Sequence, residues 1–300
     1  MLGGINMDLV TISERFPQPG ETVVGSRFLT YPGGKGANQA VAAARMGAPT
    51  TMVGRVGDDV FGPQLIDTLA ASGINVDGIA IAPDTTSGIA VINIDESAQN
   101  QIIQVLGANI TCGEAEAGRV LLALADASTL LLQLEVSVDL SLQVAKEAYA
   151  LAKTVILDPG PVRPIPPEFF PFCSVITPNE TEAQVLVGFP VVDAATAAQA
   201  AEQLLDRGVG VAVVKLGAQG VYYATADGGD FVPPFPVEAV DSVAAGDAFN
   251  GALAVSLAEG ATLHQSVRMA AAAGALAVTK SGAQDSMPFR AEVEELMVGA

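Results

Sequence analysis

The sequence predicts an α/β fold built around a mainly parallel β-sheet with helices on both faces. Short apolar runs alternate with helical patterns along most of the 300 residues, and strands buried on both faces of a parallel sheet have this composition. Half of the residues are hydrophobic and only 5% are aromatic, so the core must consist mainly of Ala, Val, Leu and Ile. No linker or repeat divides the chain, and we expect one domain over residues 1–300.

The predicted elements follow one another in a regular order. They are a strand at 50–57, a helix at 59–73, a strand at 129–136, a helix at 138–153, strands at 153–160 and 173–179, a helix at 194–208 and a strand at 211–217. Asp247 precedes a further helix, which Gly260 ends in the C-terminal glycine position. Only Met1 and Leu2 precede the strand end at 3–6, so the first strand is either very short or has lost residues.

Two stretches, 8–31 and 84–106, break this alternation. Both show β-patterning around turn-forming residues, and neither contains a convincing helical pattern. In an α/β protein such strands can pair beside the main sheet. We therefore predict a small β-sheet lid over a ligand site.

The charge and composition disfavour several classes of function. The net charge of −19 argues against nucleic-acid binding, which needs basic patches. The single histidine, His264, cannot form a His-rich metal site or a Ser-His-Asp triad. The apolar runs are too short to cross a bilayer, and no secretory signal opens the chain. Cys112 and Cys173 show no metal-binding or redox spacing and are predicted to be buried thiols. We expect a cytoplasmic enzyme that acts on a small molecule, without nucleic-acid or membrane partners.

Polar residues stand at the predicted carboxyl ends of several strands. Ligands of open parallel sheets bind at this edge, although each residue alone could equally be an ordinary turn residue. The set is Asn6, Asp8, Glu135, Asp158, Asn179, Glu182, Lys215, Asp241 and Asp247. Because so many of them fall at strand ends, we expect a ligand site there.

Two glycine-rich turns belong to the same edge. The segment YPGGKGANQAVAAARMG at 31–47 fits neither a Walker A loop nor GxGxxG, which disfavours a dinucleotide-dependent oxidoreductase. Lys35 and Asn38 could hold a polyhydroxylated ligand, with a plain helix-entry turn as the alternative. The glycines at 217–220 permit close approach to a flat or phosphorylated ligand, and a hairpin turn is equally compatible with them.

Asn179 and Glu182 have the N-x-x-E spacing and share one face of an opening helical turn. They could hold a hydrated Mg²⁺, which needs few protein ligands. They could also cap the helix. The sequence leaves both interpretations open.

The segment DSVAAGDAFNGAL at 241–253 places the smallest residues just ahead of a helix start. Such a turn exposes N–H groups at the positive end of the helix dipole, where a phosphoryl group can bind. A carboxylate there repels the phosphate unless it has a chemical role. We interpret Asp247 as the base that accepts a proton from an attacking hydroxyl, with a role limited to capping the helix as the alternative.

Together these motifs resemble those of the ribokinase-like (PfkB) carbohydrate kinases. The match covers nearly the whole chain in the family's order, through GGINMDLV, FPQPGETV, GGKGANQAVAAARMGA, VGRVGDDVFG, LLLQLEV, ITPNETEA, VVKLGAQGV, AVDSVAAGDAFNGAL and AVTKSGAQDSMP. The signatures near 33–38 and 241–251 are the specific ones. The resemblance implies a three-layer α/β/α sandwich with a mainly parallel central sheet and a small β-sheet lid, which often supports a homodimer.

The resemblance also implies roles for matching residues. Asp247 would be the base, and the amides of Ala244, Ala245, Gly246 and Asp247 would form an anion hole. The sugar would be held by Asn6, Asp8, Gly34, Lys35, Asn38 and Glu135. ATP would contact Asn179, the helix start at Gly246 and Asp247, and the turn of Lys215, Leu216, Gly217, Ala218, Gln219 and Gly220. Glu182 would arrange Mg²⁺ through water. A monovalent cation, K⁺, would lie at Asp241, Val243, Ala277, Lys280, Gly282 and Ser286, mostly on carbonyl oxygens.

Two positions depart from the commoner family pattern. Lys215 stands where many relatives carry a small hydroxyl residue, and Ala271 replaces a polar residue often found beside adenine. Asn6 and Asp8 together with GGKGAN favour D-ribose as the acceptor, phosphorylated by ATP at its 5-hydroxyl. Another sugar or a nucleoside is the alternative. A non-catalytic sugar-binding protein is disfavoured, because a binder has no reason to keep a base facing a phosphate.

Overall fold

The structure, a computed structural model, describes residues 1–97 and 99–299. Its strands are β1 (Asn6–Ile12), β2 (Arg27–Gly33), β3 (Thr51–Gly57), β4 (Asn75–Ala82), β5 (Gly88–Ile94), β6 (Asn100–Val105), β7 (Thr129–Leu132), β8 (Thr154–Leu157), β9 (Val175–Ile176), β10 (Val211–Lys215), β11 (Val221–Thr225) and β12 (Gly228–Val232). Its α-helices are α1 (Lys35–Arg45), α2 (Phe61–Ala71), α3 (Glu114–Leu124), α4 (Val138–Ala150), α5 (Glu180–Val187), α6 (Ala194–Asp206), α7 (Ala245–Ala258), α8 (Leu263–Ala277) and α9 (Arg290–Gly299). Within these described ranges, no helix has both the length and the apolarity to span a membrane.

The central sheet has the strand order β12-β11-β10-β9-β8-β7 and continues through Leu2 to β3 and β4. Leu2 forms parallel bridges with Val53 of β3 and with Leu132 of β7. The strand pairs are parallel except for β10–β11 and β11–β12, which are antiparallel. The mainly parallel sheet expected from the sequence is confirmed. The first strand of this sheet amounts to the single residue Leu2.

Helices cover both faces of this sheet because its central strands, β7 to β10, are almost entirely apolar. In β7, Leu130 and Leu132 belong to one core, with residues of α3, α4 and α6, whereas Leu131 belongs to a second core with α7 and α8. In β10, Val214 and Val213 divide between the same two cores. Successive side chains of a strand point to opposite faces. A continuous apolar run therefore fills two cores, which gives the three-layer sandwich.

A second sheet, the lid sheet, has the order β2-β1-β5-β6. The β1–β5 pair is parallel, and the β1–β2 and β5–β6 pairs are antiparallel. These strands lie mostly in the two stretches that interrupt the helical pattern of the sequence, although β1 begins two residues before position 8 and β2 ends two residues after position 31. Ala98, within the second stretch, lies outside the described residues.

Some predicted strand ends are wrong by several residues. The strand predicted at 129–136 ends at Leu132, because the N–H of Leu134 donates to Gly160 O (2.9 Å) instead of a neighbouring strand. The strand predicted at 173–179 is reduced to β9, since Pro178 has no N–H for the ladder. The glycines at 217–220 form the hairpin turn between β10 and β11, closed by Leu216 N donating to Gly220 O (2.9 Å).

Other local predictions are confirmed. Gly260 follows α7 with φ of 81°, the left-handed conformation expected of the glycine that ends a helix. Cys112 and Cys173 are free and buried. Burial raises the pKa of the Cys112 thiol to about 12, so this thiol is not reactive at neutral pH. His264 lies on α8 with a half-exposed side chain.

Candidate active site

Most of the predicted site residues meet where the carboxyl edge of the central sheet faces the lid sheet. Lid strand β1 supplies Asn6 and Asp8, and the segments after β7 and β8 supply Glu135 and Asp158. The other members, Lys35, Asn38, Glu182, Lys215 and Asp247, lie at helix starts or at the end of β10. The predicted clustering of polar strand ends is therefore observed.

The glycine-rich turn before α1 owes its composition to close backbone packing. Gly34 has φ of 90°, and a Cβ on it would lie 2.7 Å from both Asn6 N and Gly4 O. A Cβ on Gly36 would lie 2.7 Å from Gly3. Only glycine allows the start of α1 to press against residues 3–6 in this way. The packing brings Lys35 and Asn38 to the centre of the site.

Glu135 is the centre of a buried hydrogen-bond cluster. Its Oε1 accepts from Asn6 Nδ2 (3.1 Å) and from Gln104 Nε2 (2.6 Å), and its Oε2 accepts from Lys35 N (2.6 Å). Asn109 Nδ2 donates to Asn6 Oδ1 (2.7 Å), which fixes the amide of Asn6. Burial raises the pKa of Glu135, and the charge of Lys35 only partly opposes this.

Asp8 of β1 faces the same cluster from the lid sheet. Burial raises its pKa to about 7, and the charges of Glu135 and Asp247 add to the rise. A Cβ on Gly33 would lie 2.5 Å from the Asp8 carboxylate. The acidic side chain is thus held against the glycine turn, with its charge poorly compensated.

Two lysines share the carboxylate of Asp158. Lys35 Nζ donates to Oδ2 (2.9 Å) and Lys215 Nζ donates to Oδ1 (3.2 Å). Burial alone would raise the pKa of Asp158, but the charges of Lys215 and Lys35 hold it below its ordinary value. Burial would lower the pKa of Lys35, but Asp158, Asp247 and Glu182 raise it well above its ordinary value. Lys35 is therefore positively charged at neutral pH.

Asp247 lies in the first turn of α7 and is only 4% exposed. Its Oδ2 accepts from Asn38 Nδ2 (3.0 Å) and its Oδ1 from Gln39 Nε2 (2.9 Å). Burial raises the pKa of Asp247, against the lowering effect of Lys35 and of the two amides. This carboxylate can accept a proton, because no salt bridge occupies it among the described residues.

The turn before Asp247 leaves backbone donors open. Ala244 has φ of 60°, and the N–H groups of Ala244 and Gly246 have no hydrogen-bond partner within the described part of the chain. The N–H of Asp247 donates to Ala244 O (3.0 Å), and that of Ala245 makes a long bond to Ser242 O (3.5 Å). A Cβ on Gly246 would lie 3.3 Å from Lys215 Nζ. Open N–H groups beside an ammonium form a site for an anion.

Asn179 and Glu182 form a capping box at the start of α5. Glu182 N donates to Asn179 Oδ1 (2.8 Å), and Asn179 N donates to Glu182 Oε2 (2.9 Å). Glu182 Oε1 faces the site, since a Cβ on Gly160 would lie 2.5 Å from it. Among the described residues no group of three acidic, His or Cys side chains could enclose a metal. One free carboxylate oxygen suits a hydrated Mg²⁺, which keeps most of its waters.

The predicted nucleotide and cation residues lie around these elements. The turn from Lys215 to Gly220 projects from the end of β10, and Ala271 packs on the core side of α8. The segments 241–243 and 277–286 lie side by side, because Gly282 N donates to Asp241 Oδ2 (3.1 Å) and Asp241 N donates to Val278 O (3.1 Å). Four carbonyl oxygens accept no hydrogen bond within the described ranges, and they belong to Val243, Lys280, Gly282 and Ser286. Carbonyl oxygens are the type of ligand that the predicted K⁺ site requires.

Sequence reasoning missed several residues that hold the site together. Gln39, Gln133, Gln104 and Asn109 all bond to predicted site residues or to one another. Gln39 is the residue at which the segment 31–47 departs from GxGxxG, and Gln104 lies in a lid strand whose pattern is largely exposed. The importance of these amides becomes visible only from their hydrogen-bond partners in the structure. Side-chain amides are common everywhere in proteins, so the sequence carries no signal for them.

Comparison with known proteins matches the family model "pfkB family carbohydrate kinase" to residues 1–290. A ribokinase of Bacillus subtilis is 40% identical over 99% of this chain and 98% of its own length. A deoxyribokinase of Salmonella typhi is 33% identical over 99% of this chain and 97% of its own. The structure of an Arabidopsis thaliana ribokinase complexed with ribose and ATP superposes with a TM-score of 0.91 at 34% identity, covering 99% of this chain and 97% of that one. The three-layer sandwich with its lid sheet is thus the ribokinase fold.

Proposed function

The chain belongs to the pfkB family of carbohydrate kinases, and we propose that it transfers the γ-phosphoryl group of ATP to the 5-hydroxyl of D-ribose. The products are D-ribose 5-phosphate and ADP. The observation that carries the proposal is the pairing of a buried carboxylate, Asp247, with a helix start whose Gly246 N–H is open. The similarity to ribokinases, one of them complexed with ribose and ATP, supports this acceptor.

Asp247 acts as the general base. The 5-hydroxyl gives its proton to a carboxylate oxygen of Asp247 while its oxygen attacks the γ-phosphorus in line. The bond from phosphorus to the bridging oxygen breaks, and ADP leaves with that electron pair. The amides of Ala244 to Asp247, of which those of Ala244 and Gly246 are open, and the positive end of α7 then stabilise the charge on the transferring group.

The sugar lies between the lid sheet and the start of α1. Asn6, Asp8, Asn38 and Glu135 offer carboxylate and amide groups suited to sugar hydroxyls, with Gly34 and Lys35 at the turn. Asp8 and Glu135 are held close together with raised pKa values. Sugar hydroxyl groups that donate hydrogen bonds to these two carboxylates stabilise their ionised forms. Sugar binding would therefore offset the repulsion between the two carboxylates.

ATP lies along the other side of Asp247. Asn179 and the turn of Lys215, Leu216, Gly217, Ala218, Gln219 and Gly220 contact the nucleotide, and Lys215 Nζ lies beside Gly246. Glu182 would hold Mg²⁺ through water, and the ion would offset phosphate charge. K⁺ would be held by Asp241, Val243, Ala277, Lys280, Gly282 and Ser286 and would strengthen the positive potential of the anion hole.

Three further expectations belong to this proposal. We expect a homodimer formed through the lid sheet, whose surface carries Phe28, Ile102 and Ile103, each more than half exposed. We expect the enzyme to act in the cytoplasm. The second candidate acceptor is 2-deoxyribose, because a deoxyribokinase is similar over nearly the full chain.

The test is ADP release from ATP-Mg²⁺ with ribose, 2-deoxyribose, fructose or adenosine, each with and without K⁺. Ribose-dependent turnover that K⁺ increases is the expected result. Turnover with only another acceptor would retain the mechanism and replace the substrate. A folded protein that is silent with all four acceptors would overturn the assignment as a kinase for these substrates.

A further inference from the structure

Gln39 is a buried amide next to the proposed base to which the proposed function gives no role. Its side chain is 0% exposed. Its Nε2 donates to Asp247 Oδ1 (2.9 Å) and also to Asp158 Oδ2 (3.0 Å). The two hydrogens of one amide nitrogen therefore join the base to the carboxylate that Lys35 and Lys215 share.

Gln133 fixes the orientation of this amide. Its Nε2 donates to Gln39 Oε1 (2.6 Å), and Gln133 is also 0% exposed. If the amide of Gln39 were reversed, its carbonyl oxygen would face two carboxylates and its nitrogen would face the nitrogen of Gln133. The reversed orientation would lose all three hydrogen bonds and replace them with three repulsive contacts, so the observed orientation is favoured.

The charges around Asp247 come from several elements. Lys35 of α1 favours the ionised form, whereas Asp158 after β8, Glu135 after β7 and Asp8 of β1 disfavour it. Burial also disfavours the charge, and the amides of Asn38 and Gln39 oppose that effect. A base must be ionised before it can accept a proton, so each donated hydrogen bond affects how much of the base is ready at neutral pH.

We propose that Gln39 is a positioning residue that keeps the Asp247 carboxylate ionised and correctly oriented. Gln133 holds the Gln39 amide in the orientation needed for its hydrogen bond to Asp247. The part of this inference that concerns proton transfer rests on the proposed function. The part that concerns the ionisation of Asp247 does not, and it can be measured without turnover.

The first test is a ¹³C NMR titration of the Asp247 carboxyl carbon, assigned by its loss in Asp247→Asn. Gln39→Met removes the donor and keeps the side-chain length, so the pKa of Asp247 should rise by about one pH unit, as expected for loss of a hydrogen bond to a charged group. Gln39→Met/Gln133→Leu leaves no orphaned amide and should show the same rise. Gln199→Met, on the exposed face of α6, is the matched control. An unchanged Asp247 pKa in both Gln39 variants would overturn the proposal.

The second test is the pH dependence of kcat at saturating substrates, with whichever acceptor the wild-type enzyme uses. The acid limb should move to higher pH in Gln39→Met, and turnover should recover towards wild type at alkaline pH. A merely structural defect would lower kcat at all pH values without moving the limb. In the Asp8→Asn background the limb should persist, because it belongs to Asp247. An inactive wild type would refute the kinase assignment alone, since the NMR titration still decides the role of Gln39.

Discussion

Helices α5 and α7 both begin at the carboxyl edge of the central sheet, but their first turns are built in opposite ways. At α5, Asn179 and Glu182 satisfy each other's N–H groups through a capping box. At α7, Ala244 offers no side-chain cap, and the N–H of Gly246 has no partner among the described residues. The Asp247 carboxylate, which could have capped the helix, instead accepts from Asn38 and Gln39.

This difference separates a helix start explained by folding from one that folding does not explain. A capping box satisfies orphan donors and stabilises the helix. The start of α7 lacks this stabilisation, because it leaves N–H donors open and its carboxylate bonds to other residues. Such a turn is available to a ligand, and open N–H groups at a helix start select an anion. Substitutions at Asp247, Lys215, Asn179 and Ala244 test whether this contrast has a functional cause.

The largest effect is expected at Asp247. Asp247→Asn keeps the size of the side chain and removes its ability to accept the proton, so turnover should fall about 10²-fold or more, while much of the ribose affinity is kept. Steady-state kinetics with a ribose-binding measurement checks both. Near-normal turnover in this variant would falsify the role of Asp247 as base.

The next effect concerns the charge beside the open turn. Lys215→Met removes the ammonium that lies next to Gly246, so kcat/KM for ATP should fall about tenfold, as expected for a charged contact to phosphate. The KM for the sugar should change little. Lys146→Met, at an exposed position of α4, provides the control. Equal kinetics in the two variants would show that Lys215 only balances Asp158.

At α5 the contrast predicts a loss of stability. Asn179→Ala removes the cap and should lower the free energy of unfolding by about 1 kcal/mol, measured by urea denaturation. Thr262→Ala removes the corresponding cap of α8 and should cost a similar amount. If Asn179 also contacts ATP, its variant alone raises the KM for ATP. Matching kinetics in both variants would leave Asn179 with a capping role only.

The smallest effect is expected at Ala244, which has φ of 60°. An alanine in this left-handed conformation is strained, so Ala244→Gly should stabilise the protein by up to about 1 kcal/mol. Ala152 has φ of 54° outside the site, and Ala152→Gly should give a comparable gain in Tm. A loss of stability in Ala244→Gly alone would mean that the Ala244 methyl group packs productively.

Much of the fold could be predicted because apolar runs of strand length have few alternatives. The run at 129–132 supplies two cores from one strand, and neither face could be exposed to water without cost. The ends of such runs were less predictable. Leu134 is as apolar as the strand before it, yet its N–H bonds to Gly160, and no local property of the sequence specifies that partner.

The candidate site, like the fold, could be predicted in part from the sequence. Lys35 and Asp247 could be identified from the small-residue turns beside them and Glu135 from its place at a strand end, and the structure brings these residues together. Their roles in binding and catalysis stay predictions. For Asn179 and Glu182 the structure shows the capping box, one of the two interpretations left open, while the second carboxylate oxygen of Glu182 faces the site.

The sequence by itself determined the α/β class, the lid stretches and the chemical types gathered at one edge of the sheet, because these follow from the period of apolar residues and from turn-forming glycines. Only the tertiary structure decided which polar group meets which. Gln39 bridges Asp158 and Asp247, residues more than a hundred positions away in the chain. Hydrogen bonds depend on positions to within a few tenths of an ångström, and packing between distant segments sets positions that finely.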